Sequence, residues 1–82
     1  YFVSTFTVYA ISSLSRNYIY VGLSSNLEQR ITTHNKGLNK TTRPYAPFKL
    51  IYIESCSSRI EARKREKYFK SGIGKEFLKS LL

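Results

Sequence analysis

A chain of 82 residues holds one domain with a modest core, so residues 1–82 are taken as a single unit. A hydrophobic content of 41% excludes a compositionally disordered chain, and the lone cysteine, Cys56, excludes an internal disulfide or a cysteine-rich metal site. Fourteen Lys and Arg against five Asp and Glu, a formal net charge of +9, favour a polyanionic partner, with nucleic acid foremost.

No run approaches the length of a membrane span, so no membrane association is expected. The start, "YFVSTFTVYA", is apolar and alternating and lacks the basic flank and small-residue cleavage site of a signal peptide. A reducing cytoplasmic or nuclear setting fits the cysteine usage. The absence of Met leads to the expectation of a start inside a longer reading frame or after trimming.

"FTVYAIS" alternates, with Phe6, Val8 and Ala10 on one side and Thr7, Tyr9 and Ile11 on the other. "NYIYVGLS" alternates too, with Tyr18, Tyr20 and Gly22 opposed to Ile19, Val21 and Leu23. Both segments are expected as strands, and the polar "SSLSRN" between them makes an antiparallel hairpin. A hairpin symmetric about Leu14 and Ser15 sets Tyr9 directly opposite Tyr20, so that two phenols share a face.

In "SSNLEQRITTHNKG", Ser24, Ser25 or Asn26 serves as a helix cap and Gly37 as a stop. Leu27 and Ile31 mark the inward stripe, and Arg30 and His34 lie one turn apart on a flank. "LNKTTRPYAP" has no period and is expected as a loop carrying Lys40 and Arg43. "FKLIYIES" is nearly continuous in apolar character and is expected as the central strand. "SSRIEARKREKYFKSG" opens with a capping box, Ser58 and Glu61, and is expected to close at Gly72. Its inward stripe is Ala62, Phe69 and Ile73. "GKEFLKSLL" adds Phe77, Leu78 and Leu81 at helical spacing. The order is β-β-α-β-α-α, an α/β (α+β) layer in which helices cover a three-stranded sheet.

Glu66 falls on the inward stripe of the second helix, four residues after Ala62 and three before Phe69. A carboxylate there needs a cation. One reading is a salt bridge to a nearby Arg or Lys. The other is a hard divalent cation with water in the remaining positions. Arg30 is either a solvated helix arginine or a planar clamp on a phosphate. His34, Tyr9 and Tyr20 each admit an ordinary packing role. Gly22 is either a strand terminator or a point of close backbone approach to a ligand. Cys56 has no companion His motif and is expected to be inert. "GIGK", Gly72 to Lys75, lacks the spacing and preceding strand of a phosphate loop.

Taken together, these residues resemble the GIY-YIG nuclease family. "TVY", Thr7 to Tyr9, stands where the first tripeptide belongs, and "YVG", Tyr20 to Gly22, where the second does. Arg30 matches the family's helix arginine, His34 the His-or-Tyr position one turn later, and Glu66 the metal-binding glutamate. "TTRPYAPFKLIYIE" is similar to a segment common in small stand-alone members. The resemblance covers nearly the whole chain.

It implies a three-stranded antiparallel sheet flanked by helices and metal-dependent hydrolysis of phosphodiester bonds. The expected substrate is DNA, with RNA open, in repair or recombination. The phenolate of Tyr9 or Tyr20, or a metal-bound water, would deprotonate the attacking water, Arg30 would stabilise charge on phosphorus, and Glu66 would hold one Mg²⁺ or Mn²⁺. His34 completes the catalytic set. Gly22, Lys36, Lys40, Arg43, Arg63, Lys64 and Lys67 are the expected nucleic-acid contacts. The alternative is a non-catalytic nucleic-acid-binding module on the same fold. On either reading, tight substrate specificity would need a protein partner or a missing region. The chain departs from the pattern at Thr7, in place of the first glycine, and at Leu23, where many members carry a polar residue. The closing "GIGKEFLKSLL" also lacks an Asn that assists in some members.

Overall fold

The computed structural model describes residues 6–82. The first half of the alternating start, residues 1–5, lies outside them. The elements are β1 (Phe6–Ser13), β2 (Ile19–Ser24), α1 (Leu27–Asn35), β3 (Phe48–Cys56), α2 (Arg59–Lys70) and α3 (Gly72–Lys79), with a 3₁₀ turn at Arg43–Tyr45. No helix among the described residues is long and apolar enough to cross a membrane.

The sheet is antiparallel in the order β2-β1-β3. β1 is therefore central and β3 lies at an edge, which corrects the expectation drawn from the apolar run of β3. The exposures show why: Val8 to Ile11 in β1 are at most 1% exposed, whereas Leu50 and Ile53 in β3 are 44% and 53% exposed. A bulge between Ala10 and Ile11 leaves Ile51 without a partner on β1. Ile51 then turns toward the α2–α3 face, where it packs on the core with Tyr52.

The hairpin register also differs from the symmetric expectation. Tyr9 pairs with Gly22 and Ile11 with Tyr20, a slip of two residues. Because side chains alternate with period two, Tyr9 and Tyr20 keep a common face. Ser13 sets the turn: its Oγ accepts the backbone N–H groups of Ser15 (3.2 Å) and Arg16 (3.0 Å) and donates to the Tyr45 carbonyl (2.6 Å). The centre of the hairpin thereby lies one residue later than simple symmetry places it.

The two faces of the sheet carry separate clusters. Val8, Ala10, Ile19 and Val21 pack with Ala62, Phe69 and Leu78 of α2 and α3. Tyr9, Ile11 and Phe48 pack on the other face with Leu27 and Ile31 of α1. Asn26 caps α1 by accepting the Gln29 N–H. Gly37, at φ 72°, ends it, with Gly37 N–H on the His34 carbonyl and Leu38 N–H on that of Thr33.

Ser58 caps α2 through the Glu61 N–H. The Glu61 carboxylate reaches the N–H and hydroxyl of Ser57, one residue before the expected partner. Ser71, not Gly72, ends α2 and also caps α3. Ile73 is 74% exposed and leaves the predicted stripe; Gly74, buried, meets the end of α2 instead.

Candidate active site

Although α1 and α2 cover opposite faces of the sheet, both border one cleft of about 590 Å³ at the end of β2. Tyr9 and Tyr20 come from β1 and β2, Arg30 from α1, and Arg59, Arg63 and Glu66 from α2. The turn Ser24–Asn26 also lines it. Four of the sequence-derived candidates, Tyr9, Tyr20, Arg30 and Glu66, thus meet at one wall.

His34 does not join that wall. It is 1% exposed and lies behind Tyr9, with Nε2 3.0 Å from Tyr9 Oη and Nδ1 2.8 Å from Thr42 Oγ1. Its ring centroid is 4.9 Å from that of Tyr20. Burial, and then the Arg30 charge, lower its pKa, so the imidazole is neutral at neutral pH.

The Tyr9 ring sits over the Cα of Gly22. A Cβ at Gly22 would lie 2.5 Å from Tyr9 Oη and 2.9 Å from Tyr20 Cε2. The missing side chain therefore makes room for two phenols, whose centroids are 6.3 Å apart. Burial pushes the Tyr9 pKa up to about 12; the Tyr20 neighbour raises it further and Arg30 opposes the rise. At neutral pH the Tyr9 phenol holds its proton.

Arg30 is exposed and makes no ion pair among the described residues. Its charge is free for an anion in the cleft. Glu66, with a side chain 15% exposed, lies 3.3 Å from Lys70 Nζ and 3.7 Å from an Arg63 nitrogen. Both partners are themselves more than half exposed. No group of three or more His, Cys, Asp and Glu among the described residues is placed to hold a metal ion. Among the described residues Glu66 is the one carboxylate on the cleft, and a single carboxylate suits a hard cation that keeps most of its water, as Mg²⁺ does.

The remaining cations divide by position. Arg63 lines the cleft, whereas Lys64 and Lys67 are exposed on α2 away from it. Lys36 borders a shallower hollow on the outer side of α1. Lys40 is exposed in the following loop, and Arg43 there donates to the Gly37 carbonyl at 2.9 Å. Two residues escaped the sequence reasoning. Arg59 lies on the cleft and stacks 5.5 Å above the Phe6 ring, and its spacing of four from Arg63 was a visible signal. Thr42 is 0% exposed inside a segment whose composition indicates only a loop.

Comparison with known proteins bears on the family and the fold. The model of the GIY-YIG catalytic domain matches residues 5–76. Over 53 residues the chain is 45% identical to the UPF0213 protein CPE1444 of Clostridium perfringens, covering 63% of this chain and 57% of that protein. The match to the UPF0213 protein SH2523 of Staphylococcus haemolyticus is 39% over 66 residues, covering 79% and 80%. The chain therefore spans little more than half of some relatives and most of others. The solution NMR structure of the UPF0213 protein BH0048 from Bacillus halodurans has the same fold, with a TM-score of 0.56 at 31% identity. That likeness covers 94% of this chain and 84% of the other.

Proposed function

This chain belongs to the GIY-YIG family, and from that premise we propose that it hydrolyses phosphodiester bonds in DNA with one Mg²⁺ or Mn²⁺. The observation that carries the reading is the meeting of Tyr9, Tyr20, Arg30 and Glu66 on one polar cleft. Glu66 would hold the cation, which supplies Lewis-acid polarisation of the phosphoryl oxygen when bound.

The protein's own groups divide the remaining work. Arg30, unpaired at the cleft, takes the scissile phosphate through its planar fork and stabilises the charge that develops on it. Arg59 and Arg63 extend that positive wall toward the flanking backbone. A tyrosine phenolate removes the proton of the attacking water. Tyr9 and Tyr20 both stand where this is feasible. A Tyr9 pKa of about 12 makes its phenolate scarce at neutral pH, so turnover through Tyr9 rises with pH. The finer reading is a cytoplasmic enzyme of DNA repair or recombination whose substrate choice comes from a protein partner.

One observation favours a binding module without turnover: Lys70 and Arg63 already neutralise the Glu66 carboxylate. Incubation with linear, branched and single-stranded DNAs, in Mg²⁺, Mn²⁺ or excess chelator, separates the two. The proposal predicts metal-dependent cleavage of at least one DNA. Binding with no cleavage under any condition would make the binding module the better description.

A further inference from the structure

Both ring nitrogens of His34 are within hydrogen-bond distance of a hydroxyl, Tyr9 Oη at Nε2 and Thr42 Oγ1 at Nδ1. A neutral imidazole has one N–H, so one nitrogen donates and the other accepts. Thr42 decides which. It is 0% exposed, and its hydroxyl has no other hydrogen-bond partner among the described residues. The loop that carries it is held in place, because Asn39 Oδ1 accepts the backbone N–H groups of Thr41 (2.9 Å) and Thr42 (3.4 Å).

Were Nδ1 to carry the proton, Thr42 would accept it and bury its own hydroxyl hydrogen without an acceptor, an arrangement native interiors avoid. With the proton on Nε2, Thr42 donates to Nδ1 and His34 donates to Tyr9 Oη, and each buried group is satisfied. The Tyr9 hydroxyl hydrogen then turns toward the cleft that Tyr9 lines.

We propose that Thr42 is a positioning residue, whose buried hydroxyl locks His34 as the Nε2–H tautomer and so presents a donor, not a base, to Tyr9 Oη. In this arrangement His34 does not take the phenol's proton. When the Tyr9 O–H bond breaks, the proton leaves into the water of the cleft, and the electron pair stays on Oη under the hydrogen bond from Nε2–H. The tautomer is a property of the free protein; its catalytic consequence rests on the hydrolase reading above.

His34 is the only histidine, so its imidazole signals are assigned without ambiguity. Long-range ¹H–¹⁵N spectra of the free protein should show Nε2 protonated in the parent and in Thr42→Ser. In Thr42→Val, isosteric but without the hydroxyl, the two tautomers should mix. A parent spectrum with the proton on Nδ1 overturns the proposal, as does a Thr42→Val spectrum identical to the parent's. If Thr42→Val does not fold, the parent and Thr42→Ser spectra still decide. On a cleaved DNA, Thr42→Val should lose about 10-fold in rate, the low end for removing an orienting partner behind a reacting group, and Thr42→Ser should retain it. A Thr42→Val rate equal to the parent's removes the catalytic consequence. A parent inert on every DNA would remove the hydrolase reading and leave the tautomer assignment standing.

Discussion

At the scale of single residues, Tyr9 and Gly22 form one unit. The phenol fills the space that a Gly22 side chain would occupy, so Gly22→Ala must push Tyr9, Tyr20 or both aside. The expected cost is about 1–3 kcal/mol, measured by denaturant unfolding, with a loss of any cleavage activity because at least one phenol is displaced. An unchanged midpoint would show that the cleft absorbs a methyl group without strain. His34 adds a pH signature. Its ordinary pKa of 6.5 is lowered by burial in the folded state, so on acidification the unfolded chain takes up the proton first. Stability is then full above about pH 6.5, falls as pH drops through the folded pKa, and levels off below it. Thermal melts of the parent and of His34→Gln across this range should differ in slope, with the variant flatter. The sequence marks Tyr9, Tyr20, Arg30, His34 and Glu66 as candidates through spacing alone. Spacing does not say that His34 is buried behind Tyr9, since that depends on Thr42, eight residues away and on another segment.

At the scale of elements, periodicity was enough to divide the strands into faces, and capping residues were enough to place both ends of α1 and the start of α2. Failures came where a contact across the chain overrides a local pattern. The hairpin register is held by Ser13, which reaches the Tyr45 carbonyl far along the sequence. The apolar run of β3 resembles a buried strand, yet β1 takes the centre because it pairs on both sides. β3 is tied down from outside its own sequence: Arg65 of α2 donates twice to the Glu54 carboxylate, at 2.6 and 3.0 Å, while Tyr52 of β3 itself donates to the same carboxylate at 2.8 Å. The two glycines of "GIGK" likewise differ in ways no local rule separates. A Cβ at Gly74 would collide with the Tyr68 carbonyl and lie 2.5 Å from Phe69 Cα, so α3 packs on backbone that cannot swing away. A Cβ at Gly72 meets nothing within 4 Å. Gly74→Ala is therefore expected to destabilise by about 2 kcal/mol despite the better helix propensity of Ala, whereas Gly72→Ala should be neutral or stabilise by up to about 1 kcal/mol. Equal effects in calorimetry would contradict this account of the α2–α3 packing.

At the scale of the whole molecule, the net charge of +9 was legible from composition, but its distribution was not. Arg30, Arg59 and Arg63 gather at the cleft, while Lys36, Lys40, Lys64 and Lys67 spread over other surfaces. If the cleft cations and one neighbour neutralise about four phosphates, log K for duplex DNA should fall against log salt with a slope of roughly −3 to −4. Double substitution of Arg59 and Arg63 should bring that slope about two units closer to zero, whereas Lys36→Ala should change it little. A slope indifferent to the two arginines would move the binding surface away from the cleft.

The most direct test concerns Glu66, because its carboxylate decides between a metal-dependent hydrolase and a charged binding surface. Its partners Arg63 and Lys70 are exposed, so loss of their ion pairs costs only about 0–1 kcal/mol and a Glu66→Gln protein should fold. Cleavage and affinity are measured side by side on one DNA, with Mg²⁺ or Mn²⁺ present for cleavage. The account predicts that Glu66→Gln abolishes cleavage while binding DNA as tightly as the parent or more tightly, a negative charge having left the cleft. A folded Glu66→Gln protein that cleaves at the parent's rate would contradict it.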